Sequence, residues 1–125
     1  MTQYDKGASF ERDVVRNFNE LGWIAIRAAG SGIGNEIVPD VIAIKKGRII
    51  AFQCKSTNKD KINITKAKEK IMKFCEITSA EPYIAVKFLR KEPHFFDVRK
   101  TEKKTITLND NYLTYDIISG YQKSL

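Results

Sequence analysis

Apolar positions recur along this chain in two rhythms. In ASFERDVVRNFNELGW, Phe10, Val14, Phe18 and Leu21 fall three or four residues apart, with Val15 widening the stripe. That spacing predicts a helix, with Ser9 as its N-cap and Gly22 as its stop. Trp23 to Ala28 alternates loosely and reads as a first strand, followed by a glycine-rich loop, AGSGIGNE. Residues 37–56, IVPDVIAIKKGRIIAFQCKS, then hold two apolar strand-like runs around a Lys-Lys-Gly turn. After a polar stretch, STNKDKINI, the helical rhythm returns over Thr65 to Thr78, with Ala67, Ile71, Phe74, Cys75 and Thr78 on one face. PYIAVKFL and HFFDVR read as strands and KTITL as a short edge element. NYLTYDIISGYQ reads as a closing helix with Leu113, Ile117, Ile118 and Tyr121 on one side. The order α-β-β-β-α-β-β plus a last helix predicts an α/β domain over residues 1–125, a mixed sheet flanked by helices.

The hairpin carries chemistry at its open end. If Lys46-Gly47 is a two-residue turn, Lys45 pairs with Arg48 and the ladder runs down to Asp40 opposite Gln53. Residues directly opposite share a face, and Lys55 points to that same face. The rest of the hairpin is apolar on both faces: Ile42, Ile44 and Ala51 on one, Val41, Ala43, Ile50 and Phe52 on the other. Such a pair belongs in the middle of a sheet, where polar groups are costly unless paired or holding an ion. The Asp40 carboxylate, the Gln53 side-chain carbonyl and the main-chain carbonyl of Cys54 suit a hard cation such as Mg²⁺ or Mn²⁺, with Lys55 beside it. The same spacing equally suits an Asp40–Lys55 ion pair capping a strand end.

Charge adds a partner class. Lys and Arg outnumber Asp and Glu by 22 to 15, a net +7. Nucleic acid is the commonest polyanion that such a surface meets in a cell. No apolar run approaches the roughly 20 residues of a membrane span, and MTQYDKGASF lacks the basic-then-apolar pattern of a secretion signal. This reading expects a cytoplasmic protein with no membrane partner. Cys54 and Cys75 form no CxxC and lie far in sequence from the single histidine. They are expected as small core hydrophobes rather than a disulfide framework or zinc site. His94, beside Pro93, is expected on a surface loop.

In order along the chain come KGASFERDVV, GW-x-x-x-R, AGSG, PDVIAI, QCKS, AVKFL and FFDV. This series resembles the archaeal Holliday-junction resolvases of the Hjc type, including relatives in archaeal viruses, most firmly over residues 6–56 and 83–98. The resemblance implies a restriction-endonuclease-like (PD-(D/E)xK) fold and a Mg²⁺-dependent homodimer that cuts four-way DNA junctions, at home in an archaeal or virus-infected archaeal cell. It implies that Asp40 is the principal metal ligand, Glu11 the helix acid completing the metal site and Lys55 the motif lysine. It places Ser31 in a loop near the active site, and Lys6, Arg12 and Arg27 at basic positions implicated in DNA contact. Under the same reading Lys59, Lys61 and Lys66, with Lys68 and Lys70, form a candidate phosphate-contact strip. The second helix (Ile71, Phe74, Cys75) and the C-terminal segment (Ile117, Ile118, Tyr121) are candidate dimer surfaces, each equally readable as core.

One position departs from the pattern: Gln53 stands where the family has glutamate. An amide carbonyl lacks the charge that strengthens a carboxylate ligand, although QCK is similar to the motif of Mrr-type restriction nucleases. Three alternatives therefore stay open. These are an Mrr-like or other branched-DNA endonuclease, a junction-binding protein with weakened chemistry, and a basic scaffold protein without DNA affinity.

Overall fold

The computed structural model describes residues 3–28 and 37–120, and the side chains of 7–28 and 37–120. The side chain of Lys6, and Ser31 and Tyr121 altogether, lie outside the described residues. Helix α1 (Gln3–Glu20) leads into β1 (Ile24–Arg27), the hairpin of β2 (Val41–Lys45) and β3 (Arg48–Thr57), and a short β4 (Lys61–Asn63). Helix α2 (Thr65–Thr78) follows, then β5 (Glu81–Phe88), β6 (His94–Asp97), a 3-10 turn at Val98–Lys100, β7 (Thr105–Thr107) and α3 (Tyr115–Ser119). Five strands make a mixed sheet in the order β1-β2-β3-β5-β6, and β4 pairs with β7 in a separate ribbon. Helices cover both faces of the main sheet, so the expected α/β class with a mixed central sheet holds.

The hairpin register is the one the turn predicts as far as Val41 opposite Phe52, and the expected pairing of Asp40 with Gln53 does not follow. Lys46 and Gly47 take φ of 47° and 84°, the two positive angles of a type I′ turn. Lys45 then pairs with Arg48, and the ladder runs to Val41 opposite Phe52. There the pairing departs from the regular ladder: the Asp40 N–H bonds the carbonyl of Phe52 (3.0 Å), already opposite Val41, rather than standing opposite Gln53. Beyond Phe52, β3 pairs only with β5, in parallel, through Gln53↔Ile84 and Lys55↔Val86.

Two apolar layers sandwich the sheet. Phe10, Val14 and Phe18 of α1 pack on Val41, Ala43, Ile50 and Phe52, with Trp23, Phe95 and Ile118 completing that layer. Phe18 is fully buried and stacks at an angle on Phe52, with centroids 5.0 Å apart. On the other face, Ala67, Ile71 and Cys75 of α2 pack with Ala51, Ile84 and Val86. Cys54 and Cys75 are free thiols contributing to the two layers, as expected of core hydrophobes. Helix α2 lies over β3 and β5. It leaves the same face of β1 and β2 open: Ile24 is 67%, Ile26 54% and Ile44 39% exposed. The hairpin is thus buried on both faces only along β3.

The boundaries depart from the sequence reading in several places. Helix α1 starts at Gln3, and Ser9 is an exposed residue inside it rather than its N-cap. Ala8 is buried, so packing already rewards the turn before Ser9, and one glycine at position 7 costs a helix only ~1 kcal/mol. The C-terminus behaves as expected: Gly22 takes φ of 90°, and Trp23 N–H bonds the Phe18 carbonyl (3.0 Å) while Gly22 N–H bonds that of Asn19, the Schellman arrangement. Strand β4, within the stretch read as merely polar, forms because Ile62 pairs with the buried Ile106. Helix α3 spans only Tyr115–Ser119, stopped by Gly120 at φ of 71°. Adjacent helical residues point about 100° apart, so Ile118 is buried while Ile117 is exposed, and the expected one-sided stripe fails. His94 is not a surface loop residue. It opens β6, is buried, and stacks flat on Tyr112 with centroids 3.6 Å apart.

Candidate active site

Three elements meet at the open end of the hairpin. Asp40, just before β2, is held on both sides of its backbone: its N–H bonds Phe52, and its carbonyl accepts from Ala28 N–H (2.9 Å). Its carboxylate reaches across to β3, where Oδ2 accepts the Cys54 N–H (2.9 Å). Asp40 is 9% and Gln53 6% exposed. Burying an acid and an amide together is unfavourable unless their polar atoms find partners.

Gln53 does not find one for its oxygen. The buried Oε1 has no hydrogen-bond donor. It is a buried acceptor next in the chain to Cys54, whose N–H holds the Asp40 carboxylate, and a buried acceptor calls for a donor or a cation. Lys55, two residues further on β3, lies on Gln53's face and is half-buried.

Glu11 comes from α1. Burial, and after it the negative charge of Asp40, raises its pKa above the ordinary carboxylate value; the bond from Arg27 pulls the other way. That Asp40 influences Glu11 at all places the two acids in one electrostatic neighbourhood. The Arg27 Nε–H donates to Glu11 Oε1 (2.9 Å), so the arginine read as a DNA contact is engaged by the site's own acid. The Cys54 thiol is pushed well up, first by burial and then by Asp40 and Glu11, so it stays protonated and inert at neutral pH. Among the described residues no three His, Cys, Asp or Glu side chains gather to hold a metal.

The remaining residues divide. Arg12 is exposed on α1 and lines a shallow depression with Arg16 and Arg27. Lys59, Lys61 and Lys66 are exposed and follow the site-bearing end of β3. Lys68 is not part of such a strip: its ammonium bonds the carbonyls of Thr101 (2.7 Å) and Lys103, tying α2 to the segment before β7. Of the candidate dimer surfaces, Ile71, Cys75 and Ile118 are core. Ile117 is exposed on α3, and further uncovered isoleucines stand on β1 and β2, where period-two alternation in a strand taken as central hid them.

The sequence reading also missed a cleft of about 380 Å³ between α1 and the C-terminal ends of β3 and β5. Ser9, Asp13, Ser56, Asn58, Lys87 and Arg90 line it. The i, i+4 spacing of Ser9 and Asp13 was the signal available for it.

Residues 2–117 match the sequence model of the family described as archaeal Holliday junction resolvase (Hjc). The chain belongs to that family. Among curated proteins it is similar to the crossover junction endodeoxyribonuclease Hjc of Methanocaldococcus jannaschii, 42% identical over 88 residues, 69% of this chain and 62% of the relative. The match thus spans a little under two thirds of that relative's length. The Hjc of Sulfolobus acidocaldarius is 36% identical over 107 residues, 82% of this chain and 75% of the relative. A crossover junction endodeoxyribonuclease of Sulfolobus islandicus rod-shaped virus 1 is 36% identical over 72 residues, 57% and 60% of the two chains. Among solved structures, Archaeoglobus fulgidus Hjc, a Holliday junction resolvase from an archaeal hyperthermophile, superposes with a TM-score of 0.79 at 25% identity. That match covers 95% of this chain and 99% of that one. The family's fold is the mixed sheet flanked by helices described above. No helix among the described residues is long and apolar enough to cross a membrane.

Proposed function

We propose that this chain is a structure-selective DNA endonuclease that resolves four-way junctions by metal-dependent phosphodiester hydrolysis. Membership of the Hjc family supports the substrate. The observation that carries the chemistry is the buried Asp40 carboxylate, held by the Cys54 N–H on the strand segment that bears Gln53 and Lys55, with Glu11 in its electrostatic neighbourhood. Asp40, Glu11, the Gln53 side-chain carbonyl and the Cys54 main-chain carbonyl would hold Mg²⁺, with Mn²⁺ as a substitute. Bound there, the ion supplies charge neutralisation at a phosphate and acidifies a water.

The chain's own residues do the rest. Asp40 is aimed by the Cys54 N–H. Arg27 holds Glu11 in its orientation. Lys55 brings a cation to Gln53's face, to steady the attacking water and the charge that develops on the phosphate. Arg12, Lys59, Lys61 and Lys66 contact phosphates, and recognition rests on DNA shape rather than base edges.

A junction presents two strands related by a two-fold axis, and an isologous dimer presents two sites in the same way. The uncovered Ile24, Ile26 and Ile44 face is the surface for a second copy.

The test is cleavage of a synthetic four-way junction against linear duplex, in Mg²⁺ and in Mn²⁺. Junction-selective cutting is expected, and Asp40→Asn should reduce it about 100-fold or more. Equal cutting of duplex would favour an Mrr-like nuclease. Tight junction binding without cutting, restored by Gln53→Glu, would mark a junction-binding protein with weakened chemistry.

A further inference from the structure

The cleft between α1 and the ends of β3 and β5 takes no part in the chemistry above. Both of its walls continue elements that carry site residues. Ser9 and Asp13 stand on either side of Glu11 along α1, and Ser56 follows Lys55 on β3. Two helical positions make about 200° of turn, so Ser9 and Asp13 lie on the flank of α1 away from the acid. The floor of the cleft is apolar: Phe10 and Phe88 are buried there, and Leu89 stands 56% exposed at the rim. The rest of the rim is polar, with Ser9, Asp13 and Asn58. Its two cations differ. Lys87 is spent inside the turn between β5 and β6, where its ammonium donates to the carbonyls of Phe88 (3.2 Å) and Lys91. Arg90 stays exposed, on a backbone held at φ of 62°, an angle that costs an arginine what it would not cost a glycine. The Leu89 N–H bonds the Thr57 carbonyl (3.1 Å), which ties that turn and the end of β3 into one wall.

These features fit a nucleobase and no larger piece of DNA. A volume of about 380 Å³ lies within the ~300–1,000 Å³ of small-ligand clefts and excludes a duplex. Leu89 and the floor offer a flat base an apolar seat. Asp13 argues against a phosphate as the occupant: its carboxylate, 44% exposed beside Arg16, repels one. It accepts readily from a base, since every base carries an N–H donor on its pairing edge. We propose that the cleft receives an unpaired nucleobase from the branch point of the junction. The proposal rests on the junction-nuclease reading and gives it a source of preference for branched DNA. Drawing a base out of an intact duplex costs its pairing and its stacking. At a branch point the stack is already interrupted, so the same extrusion costs less and the cleft fills there first. Seating of this kind is tolerant of sequence, because every base has a flat face. Arg90 at the mouth meets the phosphate of the extruded nucleotide.

The experiment uses the purified chain and synthetic four-way junctions, with Ca²⁺ in place of Mg²⁺ and 2-aminopurine placed in turn at each nucleotide beside the branch point. The emission of 2-aminopurine rises when it leaves the base stack. A rise at one position is expected on binding, and Ser9→Phe, which fills the cleft from an exposed helix position, should abolish it. Replacing the base opposite that position by an abasic residue removes the pairing cost. Junction binding, read by anisotropy, should then tighten about tenfold for the unchanged chain and stay within about twofold for Ser9→Phe, with duplex binding alike for the two proteins. A merely structural role would not make the effect of an abasic residue depend on position 9. Emission flat at every position, an equal rise with Ser9→Phe, or equal tightening for both proteins overturns the proposal. Should Ser9→Phe fail to fold, Leu89→Ser removes the seat from an exposed turn position and carries the same expectations. The junction-nuclease reading fails separately, if the unchanged chain binds linear duplex as tightly as a four-way junction.

Discussion

The two faces of the central sheet are built from the same strands and finished differently. On one, α1 covers β2 and β3 completely: Val41, Ala43, Ile50 and Phe52 have no exposure. On the other, α2 closes over Ala51, Ile84 and Val86 but stops short of β1 and β2, leaving Ile24, Ile26 and Ile44 uncovered. The first face is an intramolecular core. The second is half core and half surface, and a contiguous apolar surface on a basic protein is a place for association. Burial, not hydrophobic pattern, separates the two.

Substitutions can break that contrast. Phe18→Ala on the closed face should cost about 3–5 kcal/mol, because its ring touches Phe52, Trp23, Phe95 and Tyr115 and nothing can collapse into the gap. Chemical denaturation would show it, and a loss below about 1 kcal/mol would contradict the description of that layer. Ile26→Glu on the open face should leave monomer stability within about 0.5 kcal/mol, since the residue is over half exposed. It should instead convert a dimer to monomer in sedimentation equilibrium. An unchanged mass would overturn this face as the association surface.

The smallest effect sharpens the contrast through pH. On the open-faced side, His94 is buried between Phe88 and Tyr112, and burial lowers its pKa below 6.5. The unfolded chain then binds the proton more readily than the folded one. This contribution to stability is complete above pH 6.5 and fades as pH falls through the lower folded value. His94→Phe should flatten the melting temperature over that acidic window. An unaltered pH profile would show that the ring titrates normally.

Much of this was legible in the sequence where one local signal had one solution. Lys46-Gly47 admits a tight turn, and a tight turn dictates every pairing down to Val41 and Phe52, though not the next step, where Asp40 turns to Phe52 as well. Thr65–Thr78 has a helical stripe bounded by polar residues, and α2 occupies those limits. What escaped depended on partners distant in sequence. Ile62 looked like one apolar residue in a polar run until Ile106 paired with it. His94 read as surface because Tyr112, which covers it, lies 18 residues on. Arg27 read as a DNA contact because Glu11, its partner, lies a helix away. The exposed isoleucines were hidden by their own pattern: alternation tells which residues share a face, not whether a helix reaches it.

The ladder of β3 has a consequence for how the molecule comes together. A growing chain can zip the Lys46-Gly47 hairpin once Phe52 is available, since every contact in it is local. Gln53 to Thr57 gain a strand neighbour only when Glu81–Phe88 arrives in parallel, with all of α2 threaded between. Distant pairing of this kind is slow to form. The half of β3 that bears Gln53 and Lys55 is therefore set late, after the greasy scaffold beside it already stands.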